Sequence, residues 1–173
     1  VKMKPGTYEI TIDNYEDFLG HVGPHWCLGS RDQTPSVRRN EGGKACLLNF
    51  SGIHSYFDLS GVEIKIDTEI APTIDQALGE VSVTGDHLII EGLTITNVGN
   101  DAPHAGNHTV TLNMQGNHNL LNSVTVNTKG SRPYGYGHYL IVRNWKVPEA
   151  GHIESLKRSA LSAGGDHNFY VDC

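Results

Sequence analysis

Long apolar runs are missing from this chain: nothing approaches the roughly 18 consecutive apolar residues of a membrane-spanning helix, so no such span is expected. The Asn-Gly and Asp-Gly dipeptides that close two-residue hairpins are absent as well, which counts against an antiparallel sandwich of adjacent strands. Cysteine is sparse. The three residues Cys27, Cys46 and Cys173 are an odd number and make no disulfide framework. Positive charge is also in deficit, with a formal net charge of −6, and nucleic acid is therefore not an expected partner. The first residues hold no charged-then-apolar leader, so the expectation is a removed signal peptide or a sequence that starts mid-chain.

What the chain has is glycine, 20 in 173 residues, together with many Asn and His. That composition suits a turn-rich β protein of one-domain length. The motif Gly-x-His occurs at Gly52-Ile53-His54, Gly85-Asp86-His87, Gly116-Asn117-His118 and Gly165-Asp166-His167. With the glycines aligned, Leu48, Val81, Leu112 and Leu161 stand four before, and Phe50, Val83, Met114 and Ala163 two before. Polar Asn49, Ser82, Asn113 and Ser162 lie between them, the alternation of a strand with one buried face. Tyr56, Ile89, Leu120 and Phe169 follow by four, and Leu93, Val124 and Cys173 by eight, Val62 reaching that column after a two-residue insertion. The phase places Leu48, Val83, Leu120 and Cys173 in the core, and makes Cys46 and Cys173 buried thiols.

Such self-similarity decides the architecture. One unit has too little apolar surface for a core, whereas stacking like residues over like residues buries a continuous one. The expectation is an all-β fold, a parallel β-helix (solenoid), as a single domain over 1–173. Its parts are an N-terminal coil at 1–12, an excursion at 13–44, rungs around 45–67, 80–97, 108–128 and 158–173, and an insertion at 129–158. Tyr8, Ile10 and Ile12 share one face of the first strand, and a helical turn is expected after Pro72. The stretch Tyr170-Val171-Asp172-Cys173 stops where earlier rungs continue, so a fragment lacking its C-terminal coils is expected.

The insertion is where the scaffold pattern fails and charge gathers. It carries six of the 13 basic residues against two acids, a local balance of +4, while residues 1–128 balance at −8. It also holds Tyr134, Tyr136, Tyr139 and Trp145. Aromatic rings stack on the apolar faces of sugars, and cations hold carboxylates by charge-assisted hydrogen bonds, so an anionic polysaccharide fits both features. The same residues also suit plain packing of a long loop onto an acidic body.

The repeated histidines read as a structural ladder rather than as metal ligands, because one residue per turn in a single column does not converge on an ion. No metal and no cofactor is expected. Calcium, held by oxygens among Asp75, Asp101 and nearby carbonyls, has no support in the spacing. Two glycosylation sequons occur, Asn49-Phe50-Ser51 and Asn107-His108-Thr109.

The Lys-Pro-Gly-Thr-Tyr opening and the stretches TGDHLIIEGLTITN, QGNHNLLNSVTVNT and GGDHNFYVDC together resemble the secreted right-handed parallel β-helix proteins typified by pectate lyases and related polysaccharide-active enzymes. The resemblance covers about residues 1–12 and 45–173. It implies a right-handed solenoid, a secreted, cell-surface or periplasmic location, and action on polysaccharide. The chain lacks the paired-aspartate and Gly-His-Gly pattern of polygalacturonases and the calcium-binding aspartate set of pectate lyases. Lyase-type β-elimination needs a cation to neutralise the uronate carboxylate, a base and an acid. On that logic Arg143 or Lys146 neutralises, Tyr136 or His138 exchanges protons, and Lys129, Arg132, Tyr134, Tyr139 and Trp145 bind the substrate. A non-catalytic carbohydrate-binding or spike-type module is the alternative. Glycoside hydrolysis, a second alternative, requires two carboxylates across the bond, and no insertion offers an obvious pair.

Overall fold

The computed structural model describes residues 1–22, 44–74, 78–99, 109–129, 146–147, 151–152 and 158–173. The chain is all-β, with only short 3₁₀ turns among the described residues. Four repeats each supply one strand to each of two mostly parallel sheets. The strands are β1 (Gly6–Ile10), β2 (Gly20–Val22), β3 (Lys44–Phe50), β4 (Tyr56–Asp67), β5 (Leu78–Val83), β6 (Ile89–Val98) and β7 (Thr109–Met114). They continue with β8 (Leu120–Asn122), β9 (Thr125–Asn127), β10 (Lys146–Val147), β11 (Gly151–His152), β12 (Arg158–Ala163) and β13 (Phe169–Val171). One sheet runs β12-β7-β5-β3-β2 and the other β1-β4-β6-β8-β13, with β9 also on β6. Parallel pairing of this kind needs a long connection between neighbours, which is why hairpin dipeptides are absent.

The columns legible in the sequence are the observed register. Leu48 pairs Val81, Val81 pairs Leu112 and Leu112 pairs Leu161; Phe50, Val83, Met114 and Ala163 align in the same way. Val62 pairs Leu93 across a shift that follows Asp58 opposite Glu91, so the two-residue insertion lies within β4. Inside, Val81, Val83, Leu112 and Met114 of one sheet meet Ile64, Ile66, Leu93, Ile95 and Val124 of the other in a single buried cluster. Each fully buried aliphatic side chain of this kind contributes about 1.5–3 kcal/mol.

Four expectations need correction. Strict alternation implied one wet face, but Ser82 and Asn113 are 0% and 1% exposed, and Asn49 is buried too. Ser82 and Asn113 bond each other, Asn113 donating to Ser82 Oγ at 3.3 Å, while Asn49 Oδ1 accepts from Thr84 at 2.9 Å and its buried Nδ2 has no hydrogen-bond partner among the described residues. The first sequon is thus buried at its asparagine. Second, Leu120 does not face the core. Its column of Tyr56, Ile89, Leu120 and Phe169 points outward, and Ile90 and Leu121, one residue later, are buried in its place. The left-handed histidine ahead of each strand resets the phase by one. Third, Cys173 is exposed, β13 being the edge of its sheet among the described residues, and its thiol donates to the Val171 carbonyl at 3.2 Å. For the same reason Leu161 is exposed at the opposite sheet edge, whereas Cys46 is buried as expected. Fourth, the helical turn spans Thr68–Thr73 and contains Pro72 rather than following it; the Asp67 carboxylate caps it by accepting from the Glu69 N–H.

At the start, β1 pairs β4 with Tyr8 opposite Ile64 and Ile10 opposite Ile66. Ile10 is buried, whereas Tyr8 on β1 and Ile12, beyond the end of that strand, are each 39% exposed. The excursion begins with a 3₁₀ turn at Tyr15–Asp17 and then β2, which pairs antiparallel with β3.

Candidate functional site

Each repeat passes from one sheet to the other through its Gly-x-His corner, and the corners stack. The histidines adopt left-handed backbone, φ 55°, 57°, 57° and 56° at His54, His87, His118 and His167. Their amides donate to the next repeat: His54 to Asp86 O, His87 to Asn117 O and His118 to Asp166 O, at 2.9–3.1 Å. The exposed rings form one column, with centroids 4.6, 4.7 and 4.9 Å apart and the last three rings nearly parallel. Parallel rings aim their in-plane lone pairs side by side rather than at a common point, so the column as built does not converge on an ion. Among the described residues no cluster of three or more His, Cys, Asp or Glu is arranged to hold a metal.

Side chains on either side of the imidazoles tie the corners together. Asp86 Oδ1 accepts from both the backbone and side-chain amides of Asn117, at 2.7 and 3.1 Å, and Asn117 Oδ1 accepts from the Asp166 N–H at 2.8 Å. On the interior side, Asn119 accepts from Leu88 N–H and donates to Gly85 O, while Asn168 accepts from Asn119 N–H and donates to Gly116 O. The glycines are required by close approach: a Cβ at Gly116 would stand 1.8 Å from the Gly85 carbonyl oxygen, and one at Gly165 2.0 Å from that of Gly116.

Two residues past the imidazoles lies the outward stripe of Tyr56, Ile89, Leu120 and Phe169, in register across four strands. Tyr56 is 48%, Ile89 40% and Phe169 64% exposed. The next outward column is polar. Glu91 accepts from the Tyr56 hydroxyl at 2.5 Å and from the Asn122 amide at 3.2 Å. That bond to Glu91 raises the Tyr56 pKa above the ordinary phenol value. Asp58, beside Glu91 in register, pairs with the Lys2 ammonium at 2.8 Å and accepts from the Ser60 N–H. The Lys2 and Ser60 hydrogen bonds hold its pKa down at about 2.

Of the residues the sequence singled out, Arg132, Tyr134, Tyr136, His138, Tyr139, Arg143 and Trp145 lie outside the described residues, as do Asp75 and Asp101. Lys129 is exposed just beyond β9. Lys146 is placed by its backbone alone, in the β10–β11 antiparallel pair opposite His152. Tyr56, Asp58 and Glu91 were missed. The alignment contained the Tyr56 column but assigned it to the interior, since nothing in residue type announces the one-residue phase reset.

No family model, no curated protein and no solved structure matches this chain. Among the described residues no helix is long and apolar enough to cross a membrane.

Proposed function

We propose that the two parallel sheets are walls of a right-handed parallel β-helix, as in the pectate-lyase-like proteins the sequence resembles, and that the protein is a secreted or cell-surface polysaccharide lyase. The observation that carries the scaffold is the shared register of four repeats across both sheets. The activity is carried by the segregation of charge: a +4 aromatic insertion interrupts an otherwise acidic chain, and Lys129, its first residue, is exposed. In this reading Arg143 or Lys146 neutralises a uronate carboxylate, Tyr136 or His138 moves the C5 proton and protonates the leaving oxygen, and Lys129, Arg132, Tyr134, Tyr139 and Trp145 hold the chain. Incubation with a panel of uronate polymers tests it. Ultraviolet absorbance of an unsaturated product is expected, with loss on alanine substitution at Tyr136, His138, Arg143 and Lys146. Unchanged turnover in those variants would sink the assignment.

A non-catalytic carbohydrate-binding module is the second reading, favoured by the exposed aromatic and aliphatic stripe of the described face. It predicts saturable binding and no product. Hydrolysis fits less well. Asp58 and Glu91 are neighbours in register, but Asp58 is tied to Lys2 and Glu91 engages both oxygens as an acceptor, so neither is set to donate the proton that glycoside cleavage needs.

A further inference from the structure

The insertion and the Gly-x-His corner leave the repeats at different places. The insertion follows β9 and returns at β12, on the connection from the second sheet back to the first. The Gly-x-His corner is the opposite connection. The stripe beside it is exposed at Tyr56, Ile89 and Phe169, and we infer that it is a docking track for an uncharged, extended β-linked polysaccharide lying across the strands.

Three features of the stripe argue for this occupant. The outward rings of Tyr56 and Phe169 stand at the two ends of an apolar line completed by Ile89 and Leu120, and sugar rings present apolar faces that pack on such groups. Polar groups border the line on both sides. The imidazole column offers ring nitrogens, each a donor or an acceptor in the neutral ring, and the Glu91–Asn122 column offers hydroxyl partners. Finally, both the imidazole spacing of 4.6–4.9 Å and the spacing of neighbouring strands, about 4.8 Å, are comparable with the advance of an extended glycan per ring.

Charge decides against a uronate here. Asp58, Asp86, Glu91 and Asp166 flank the line, whereas Lys2, the cation beside them, is already engaged by Asp58. Carboxylates on the ligand would face carboxylates on the protein. An uncharged glycan avoids that repulsion.

This inference rests on the polysaccharide reading but not on the lyase site. The test is calorimetric titration of the full chain with cellohexaose and, separately, with oligogalacturonate, on wild type, Tyr56→Ala, Phe169→Ala and Tyr56→Phe, with thermal melts as folding controls. Saturable cellohexaose binding is expected, weakened about tenfold by either alanine with little change in melting temperature. Tyr56→Phe keeps the ring and is expected to stay within about twofold. Cellohexaose binding that ignores both alanines overturns the track. Binding of oligogalacturonate alone also overturns it and leaves the lyase reading standing. Cellohexaose binding with no uronate binding or cleavage supports the track and removes the lyase reading, and no binding of either probe removes both.

Discussion

Each repeat bends twice, and the two bends are built differently. The first is the Gly-x-His corner. The second falls within the sheet of β4 and β6, at Gly61, Gly92, Ser123 and Asp172, which share left-handed φ of 75°, 75°, 55° and 51°. At the first corner, side chains and amides of one repeat bond the next, and glycines sit against neighbouring carbonyls. At the second the ties are fewer, the Ser123 N–H donating to the Val171 carbonyl and a Cβ at Gly92 standing 2.7 Å from Ser60 Cα; the left-handed backbone is retained while the residue changes from Gly to Ser to Asp, and the first repeat takes two extra residues just before it. The closely tied bend tolerates little variation in side chain; the more lightly tied one accepts different residues that reach its left-handed region.

The sharpest way to break this contrast is to crowd the tied corner. Gly116→Ala puts a methyl into the Gly85 carbonyl, which cannot yield without separating two repeats. We expect destabilisation on the order of 3–5 kcal/mol, or failure to fold, read by denaturant unfolding. Asn119→Ala comes next. It leaves the buried Leu88 N–H and Gly85 C=O without their amide partner, and a loss of about 2–4 kcal/mol is expected at roughly 1–3 kcal/mol per orphaned group. A near-neutral Asn119→Ala would mean that the corner is held by backbone shape, like its counterpart.

The contrast also explains what was legible in the sequence. Register was legible because it repeats: Leu48, Val81, Leu112 and Leu161 share a residue class and a distance from glycine, and the Val62 insertion emerged from the same count. Facing beyond the first corner was legible at Val62, Leu93 and Val124, which are buried as their column implies, but not in the column that opens the second strand. A single left-handed residue shifts a period-two pattern by one, and Leu120, Ile89 and Phe169 are as apolar as any core residue. Nor was burial on the far side of β5 and β7, where Ser82 and Asn113 look like solvent residues by type and satisfy one another instead. The Tyr56–Glu91 and Asp58–Lys2 pairs join residues 35 and 56 apart, which only the fold brings together.

A pair of substitutions sharpens the comparison at equal backbone geometry. His118 and Ser123 have φ of 57° and 55°, so glycine relieves the same left-handed strain at both. Ser123→Gly is expected to stabilise by about 0.5–1 kcal/mol, less the entropy glycine adds to the unfolded chain. His118→Gly gains that relief too but removes the ring stacked between His87 and His167, a contact of about 0.5–1.5 kcal/mol. The difference between the two melts isolates the imidazole column. If both variants gain equally, the column contributes nothing to stability and its rings are left for ligands.

In the first repeat the second bend gains a side-chain tie of its own, and it is the weakest effect of all. Asp58 lies just before the inserted Leu59 and Ser60, accepts from the Ser60 N–H and pairs with Lys2 near the chain start. Its folded pKa, about 2, lies below the ordinary 3.8, so the carboxylate adds stability that is fully present above the unfolded value and is lost as pH falls through about 2. Asp58→Asn should therefore melt slightly below wild type at neutral pH, by about 2 °C or less for so exposed a pair. The gap should begin to close below about pH 4 and vanish near pH 2. Salt at neutral pH should shrink it in the same way, because screening acts on the Lys2 pair and not on the buried amide bonds of the first corner. A gap that survives both treatments would mean that the Ser60 hydrogen bond, not the charge, sets the shape of this bend.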